Sequence, residues 1–358
     1  MTFKPLNEND RVNTRTLLHE AIPLTGTIVS GTYGDLNIKN YSHGMFQSVY
    51  DYPYVSSSAN HIFDITAGMH PDGTVGSTDT QYTKKRNIYN QMAQVLMGYD
   101  ATGSIQKFDE DGNIFEGGEK MTEVFVIPFS RLLSKDEIKK ETFSMDIAVD
   151  SAHSYAGYST FINISDVGAS TEYRVNSPAG DYGILYAAQN GSTLDLDSTH
   201  TASINGTDYW YAGLIFYQAG IAVLTGSVFG SLLETNVPLM NTAGDDIDAL
   251  LTGSTIDEIG DAFRNRLDNI QFNNTTELNS TVYFCRINHN EFNYTSNPTY
   301  LENSRIRVKT QATDEPVAYI TTVGLYNDNN ELLATAKLSE PLKKSASNEF
   351  TIRARLDY

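Results

Sequence analysis

The sequence predicts a β-rich α+β protein, with antiparallel β-sandwich-like modules, two main helices at about residues 84–97 and 255–270, and long loops. Three observations predict it. Strand and turn formers dominate, with 22 Tyr, 16 Phe and 26 Gly in 358 residues beside abundant Asn, Ser and Thr. Short alternating apolar runs recur between Gly, Ser and Asn clusters, the rhythm of antiparallel β modules. Two windows instead repeat their apolar residues at helical spacing.

Leu17 to Tyr54 reads as strands and extended pieces punctuated by Gly26, Gly31, Gly34, Gly44 and Pro53. His61–Thr66 alternates again, and Met69–Tyr82, rich in Gly, Asp, Thr and Ser, reads as an exposed loop. In Lys84–Met97, Ile88, Met92, Val95 and Leu96 repeat at helical spacing and Gly98 offers a stop. Lys84, Lys85 and Arg86 oppose the dipole at this helix's start, which predicts pairing with an acidic neighbour. Asp111-Gly112 marks a turn, and Val124–Phe129 is a strand. Ser134 and Glu137 fit a capping box and predict a short helix over Ser134–Lys140. Phe143–Val149, Thr160–Ile164 and Tyr182–Ala187 are short strands between turns.

Thr255–Ile270 is the second helix, opened by Thr255 and Glu258 as a capping box and striped by Ile256, Ile259, Phe263, Leu267 and Ile270. Val282–Ile287 is a strand. Tyr319–Tyr326 and Glu331–Leu338 form a hairpin across Asn327–Asn330. Phe350, Ile352, Ala354, Leu356 and Tyr358 alternate with polar residues, so the last strand buries one face. This organisation predicts an extended docking segment at 1–82, a central β-rich domain with the helices at 83–280, and C-terminal strands at 281–358 that complete the fold.

Charge and cysteine content exclude several functions. With 44 Asp and Glu against 25 Lys and Arg, the net charge is −19, which argues against nucleic-acid binding. The single cysteine, Cys285, leaves no disulfide framework and no multi-cysteine metal site. The polar start, Met1–Asp10, carries no secretory signal. Trp210–Leu233 runs 24 residues without a charge, long enough to span about 30 Å of hydrocarbon. Its flanks, Asp208 and Glu234, are acidic, and it divides into Gly213–Tyr217 and Ile221–Leu224 around Gln-Ala-Gly. A buried hairpin is therefore expected, not a membrane span.

No chemistry-bearing constellation emerges. Asp109-x-Asp111-x-Asn113 begins like a calcium loop, but Ile114 stands where glycine is needed and Lys120 where the bidentate Glu belongs. Asp109–Asp111 and Asp245–Asp248 read instead as solvated faces or turn caps. Gly226–Gly230 centres on Val228, not on a serine nucleophile. The seven histidines form no metal-binding spacing. Cys285, inside a strand, reads as a small buried hydrophobe. No catalytic residue, cofactor or metal is expected, and the chain is read as not an enzyme.

Several stretches resemble a family of virion structural proteins from contractile-tailed phages, particularly marine and cyanobacterial myoviruses. The similarity is carried by Thr16–Tyr33, Asn37–Thr66, Ile88–Asp100, Val282–Tyr300 and Tyr319–Lys344, with residues 150–240 the least similar. The Gly324–Asn327 hairpin followed by Ala334–Lys344 is similar to closing strands of baseplate wedge proteins. The resemblance implies a tail or baseplate subunit of the virion, assembled in the host cytoplasm, with other tail and baseplate proteins as partners and itself present as a homo-oligomer or in repeated copies. It carries no catalytic residues. A neck, tail-terminator or tail-fibre connector protein, or a virion carbohydrate-binding module, is the alternative.

Tyrosine suits interfaces because it covers much area with few rotatable bonds and keeps one polar end. The candidate docking residues are therefore Tyr41, Phe46, Tyr50, Tyr52 and Tyr54, then Phe292, Tyr294 and Tyr300. Packing on their own domain competes with this reading, since core and interface aromatics look alike in sequence.

Overall fold

In a computed structural model of the chain, residues 4–22, 35–73, 76–113, 120–148, 161–188, 201–226, 228, 251–293, 301–303, 305–306 and 317–358 are described. Alternation and turn chemistry cut these into 21 strands. In chain order they are β1 Arg11–Ile22, β2 Ile38–Asn40, β3 Gln47–Tyr50, β4 His61–Met69, β5 Phe108–Asp109, β6 Lys120–Met121 and β7 Glu123–Pro128. Next come β8 Glu137–Ile138, β9 Ser144–Ala148, β10 Phe161–Ser165, β11 Arg174–Ser177, β12 Gly180–Ala188, β13 Thr201–Ile204, β14 Thr207–Phe216 and β15 Ile221–Thr225. The last are β16 Leu267–Ile287, β17 Leu301–Glu302, β18 Arg305–Ile306, β19 Ala318–Tyr326, β20 Leu332–Lys344 and β21 Phe350–Asp357. The main helices are Tyr82–Leu96 and Ile256–Arg266. The β-rich α+β class read from the sequence holds.

The chain divides into two units, one of Leu18–Thr276 and one of Met1–Leu17 with Glu277–Tyr358. In the larger, the strand order is β16-β9-β10-β12-β14-β15-β7-β4-β3-β2, with every neighbour antiparallel. The central strands are apolar on both faces because both are covered. Val124 and Val126 of β7 and Val223 of β15 pack with Tyr89, Ala93 and Leu96 of the first helix. Phe125, Ile127, Ala222 and Leu224 point the other way, to Ile259, Ala262 and Phe263 of the second. Phe125 stacks on Phe263 with centroids 5.0 Å apart. Each such side chain withdrawn from water contributes about 2 kcal/mol. The uncharged segment from Trp210 is accounted for in the same way as far as Thr225: β14 and β15 pair as a hairpin buried on both faces, and residues 227 and 229–233 lie outside the described residues. Among the described residues no helix is long and apolar enough to cross a membrane.

Both helices pack on β4. Gly68 is the point of closest approach, where a Cβ would lie 2.9 Å from the backbone nitrogen of Tyr89. Tyr89 is itself fixed, its hydroxyl donating to Met121 O at 2.7 Å and accepting from Phe108 N at 3.2 Å.

Three local expectations are corrected. The second helix stops at Arg266, and Leu267 is extended at φ −79°, ψ 115°. Leu267 and Ile270 pair with Ile147 and Met145 of β9 while staying in the same core as Phe263, so one apolar stripe is delivered by two elements. Ser134–Lys140 is not a helix: one turn spans Arg131–Ser134, Lys135 takes φ +50°, and Glu137 and Ile138 pair with Thr275 and Asn274. Asp109–Asp111 is a turn cap but not a solvated face. Asp109 is wholly buried against Lys120, and its Oδ1 accepts from Asp111 N and Asn113 N at 3.2 and 3.3 Å. Asp245–Asp248 lies outside the described residues.

The basic start of the first helix is also resolved differently. Lys84 donates to His43 O at 2.7 Å. Lys85 is fully buried and donates to Leu251 O and to Ser254 O. Burial pulls its pKa down to about 8 against the pull of Asp79 and Glu258. Carbonyls make the direct contacts, while the expected acidic neighbours act through space, Asp79 and Glu258 on Lys85 and Asp257 with Lys84.

In the smaller unit the second half of β16 pairs with β21 over Ser280–Ile287, and β1 is its other neighbour. Ile352 and Ala354 face inward while Arg353 and Arg355 stay exposed, the alternation the sequence predicts. Asp10–Arg286 at 2.7 Å, Arg15–Glu277 at 2.6 Å and Lys4–Glu291 at 2.5 Å tie the N-terminal segment on. Cys285 is half-buried, and burial and then Asp10 raise its thiol pKa. β19 and β20 form the hairpin, extended to Lys344.

Charge is divided unevenly. The smaller unit holds 12 Lys and Arg and 12 Asp and Glu, while the larger holds 13 against 32, so the whole −19 lies on Leu18–Thr276.

The Gly68 contact yields a test. Gly68→Val forces branched carbons against the Tyr89 backbone and is expected to destabilise the chain by about 3 kcal/mol in urea denaturation. Unchanged stability would mean that the first helix is not seated there.

Candidate functional site

The sheet ends on β4, β3 and β2, and its outer face there gathers the first aromatic candidates. Register aligns Ile38, Val49 and Phe63 on the core face and Lys39, Ser48 and Asp64 on the other, where Ser48 is itself buried. His61 and Asp64, three apart, would occupy opposite faces of a regular strand. A bulge shifts the partner of Tyr50 to His61 and restores both to one face.

Polar atoms there are linked in a chain. Ser48 Oγ donates to Asp64 Oδ1 at 2.5 Å, so Tyr41 must be the donor in its 3.2 Å bond with Ser48 Oγ. His61 Nε2 meets the same Asp64 Oδ1 at 2.8 Å. This is not a nucleophile relay. In a Ser-His-Asp triad the imidazole lies between hydroxyl and carboxylate, whereas here the carboxylate lies between hydroxyl and imidazole, so His61 cannot take the proton of Ser48.

Rings surround this chain. Tyr41 stacks on His43 at 5.2 Å with planes 4° apart, and Phe46 tilts against both at 4.8 and 5.1 Å. Lys39 Nζ lies 4.9 Å above the Tyr41 ring. Tyr50 contacts His61 at 5.5 Å and Tyr54 at 6.5 Å. Burial, then Tyr41 and Asp64, raise the pKa of Tyr50, which keeps it a neutral phenol. The following loop is held by Asp51, whose carboxylate accepts from Asn60 N and Nδ2 at 2.6 and 2.8 Å. Tyr41, Phe46 and Tyr50 are half-buried, whereas Tyr52 and Tyr54 are 57% and 42% exposed. The face is a shelf of rings with a carboxylate at its centre, exposed at Tyr52 and Tyr54.

The second candidate region is a polar turn in the smaller unit. Lys344 Nζ donates to His289 O at 3.0 Å and Asn293 Oδ1 at 2.7 Å, and Glu291 Oε2 accepts from Asn288 N at 3.0 Å. Lys4 and Asn288 hold the Glu291 carboxyl below its usual range. The turn presents Phe292 outward at φ +54°. Tyr294 and Tyr300 lie outside the described residues.

Elsewhere the buried polar groups are structural. Asp166 accepts from Glu141 N at 2.7 Å, Phe143 N at 2.9 Å and Tyr217 Oη at 3.0 Å, fixing a turn in which Glu141 takes φ +63°. Burial raises its pKa to about 6 against those three donors and raises that of Tyr217 also. A neighbouring shallow groove of about 350 Å³, lined by Thr142, Gln271, Phe272 and Asn273, offers no titratable group. Among the described residues no cluster of His, Cys, Asp and Glu could hold a metal.

Sequence reading found the aromatic segment but missed Lys39, His61 and Asp64. Their placement depends on register and on the bulge, which no local pattern announces. No known protein family, curated protein or solved structure matches the chain.

Asp166 yields a pH prediction. The folded state keeps this proton to about pH 6, whereas an unfolded Asp loses it near 3.8. The group's contribution to stability is therefore greatest below 3.8 and is lost as pH rises through 6, by about 3 kcal/mol. The stability advantage of the wild type over Asp166→Asn should narrow by that amount between pH 4 and 7 in urea titrations. A flat or widening difference would contradict it.

Proposed function

We propose that the chain is a non-enzymatic virion structural protein, a baseplate wedge subunit of a contractile phage tail that acts by subunit–subunit assembly. The observation that carries the assembly reading is the outward aromatic shelf of Tyr41, Phe46, Tyr50, Tyr52 and Tyr54 at the end of the sheet. Half-buried and exposed rings grouped around a satisfied polar centre have the composition of an interface core. The placement in a tail rests on the resemblance of the quoted segments to the phage family. Its partners are other tail and baseplate proteins, and its location is the virion.

The shelf belongs to the unit that carries the whole −19, so its partner presents Lys and Arg. Mechanical work follows from such contacts: neighbouring subunits are held through ring patches and released when the baseplate reorganises.

The test is capture of tail and wedge proteins of the same virion by the full chain. Tyr52→Ala and Tyr54→Ala, both at exposed positions, should weaken capture by about 10- to 100-fold while leaving the melting temperature unchanged. A chain that captures no wedge protein, and whose antibodies label the capsid, would refute the reading. Saturable binding of host surface polysaccharide by the isolated chain would favour the carbohydrate-binding alternative.

A further inference from the structure

The β19–β20 ribbon has two edges of opposite character. β19 reads AYITTVGLY, nine residues without a charge or a proline. β20 carries Lys337, Glu340, Pro341 and Lys343, and its register jumps where Ile320↔Leu342 gives way to Thr322↔Lys337. Charge, proline and irregular register are the devices that protect a sheet edge, and here they protect β20 alone. Among the described residues β19 has no second neighbour, and no other described element packs extensively on the ribbon. Tyr319 and Tyr326 are exposed, at 50% and 38%, as are Leu332 and Leu333. A two-stranded ribbon alone is at best marginally stable in water.

We propose that β19 is a strand-addition site for a second copy of this chain. The two β19 edges pair antiparallel about a two-fold axis and make a four-stranded ribbon, β20–β19–β19–β20. Charge selects the occupant. A strand without charge meets its own copy without repulsion, and it belongs to the unit whose 12 cations balance 12 anions. Association through the other unit would oppose −19 to −19. The pairing also closes. After it, only the two β20 edges face outward, each guarded by Lys337, Glu340 and Pro341, so a dimer forms and not a filament. Backbone hydrogen bonds between the two β19 strands supply the affinity, as in other strand additions.

This deepens the assembly reading by naming one partner and rests on it, but the two fail separately. The experiment is sedimentation of the full chain over a concentration series, with amide hydrogen exchange on the same samples. Wild type should pass from monomer to dimer, with protection of β19 amides rising in step. Added salt should tighten the dimer, because it screens the acidic units and leaves the uncharged seam alone. Thr321→Lys with Thr322→Lys, at two exposed positions, brings like charges together at the seam and should weaken the dimer about 100-fold or more. Tyr52→Ala with Tyr54→Ala should leave it unchanged. A wild type that remains monomeric throughout, a dimer dissolved by salt, or a lysine variant that dimerises like wild type would overturn the self-pairing. In each of those cases capture of tail proteins through Tyr52 and Tyr54 remains a separate measurement.

Discussion

Burial of both faces of β7 and β15 is the constraint on which the larger unit depends. A strand with water on one face alternates, and these do not, because Val124 and Val126 need one cover while Phe125 and Ile127 need another. The two helices are those covers, and both sit on β4. A glycine at 68 is what lets the first come close enough to exclude water. Gln81 then links the two covers, its Oε1 accepting from Ile256 N at 3.0 Å at the start of the second helix. The sheet edge that bears the aromatic shelf is held at a fixed position by this arrangement, since β3 and β2 extend directly from β4.

The buried charges fit the same account. An ionised group taken out of water must be paired or saturated with hydrogen bonds. Lys85 is saturated by two carbonyls, Asp109 by Lys120 and two backbone amides, and Asp166 by two amides and a tyrosine hydroxyl. Each fixes a loop or turn: the approach to the second helix, the β5–β6 turn, and the turn at Glu141. None is aimed at a space that a substrate would fill. A catalytic acid or base needs a reacting atom within hydrogen-bond reach, and in these three cases protein atoms already occupy that position.

Period-two alternation and turn residues made most of the strands legible, because both signals are local. The capping box at Thr255 and Glu258 is real, with reciprocal bonds of 3.3 and 2.7 Å, for the same reason. The helix end at Arg266 was not legible. Leu267 and Ile270 satisfy a helical stripe and a strand's inner face equally, and the choice is made by β9, far away in sequence. Ser134 and Glu137 show the converse, a local capping pattern overruled by pairing with β16. At Asp109 the sequence shows the failure of calcium ligation, but not that Lys120 would take the cation's place inside the protein. On the shelf, ring-rich composition is visible while the polar centre is not, since a one-residue bulge decides which side His61 faces.

The division of charge ties the two exposed surfaces to different kinds of partner. Nineteen surplus carboxylates on one unit make the approach of two such units unfavourable on balance, over a distance of about 8 Å at physiological salt. For the proposed assembly, that charge favours a partner that brings Lys and Arg to the shelf, and the same field accelerates its encounter. The neutral unit neither repels its copy nor attracts a cationic partner. The backbone pairing proposed for it needs no charge, and an uncharged strand edge suits it where a charged one does not. In the proposed assembly, one acidic and one neutral unit in a single chain thus separate contact with other proteins from contact with a second copy. That separation follows from where the carboxylates fall in the sequence, and it requires no catalytic group anywhere in the molecule.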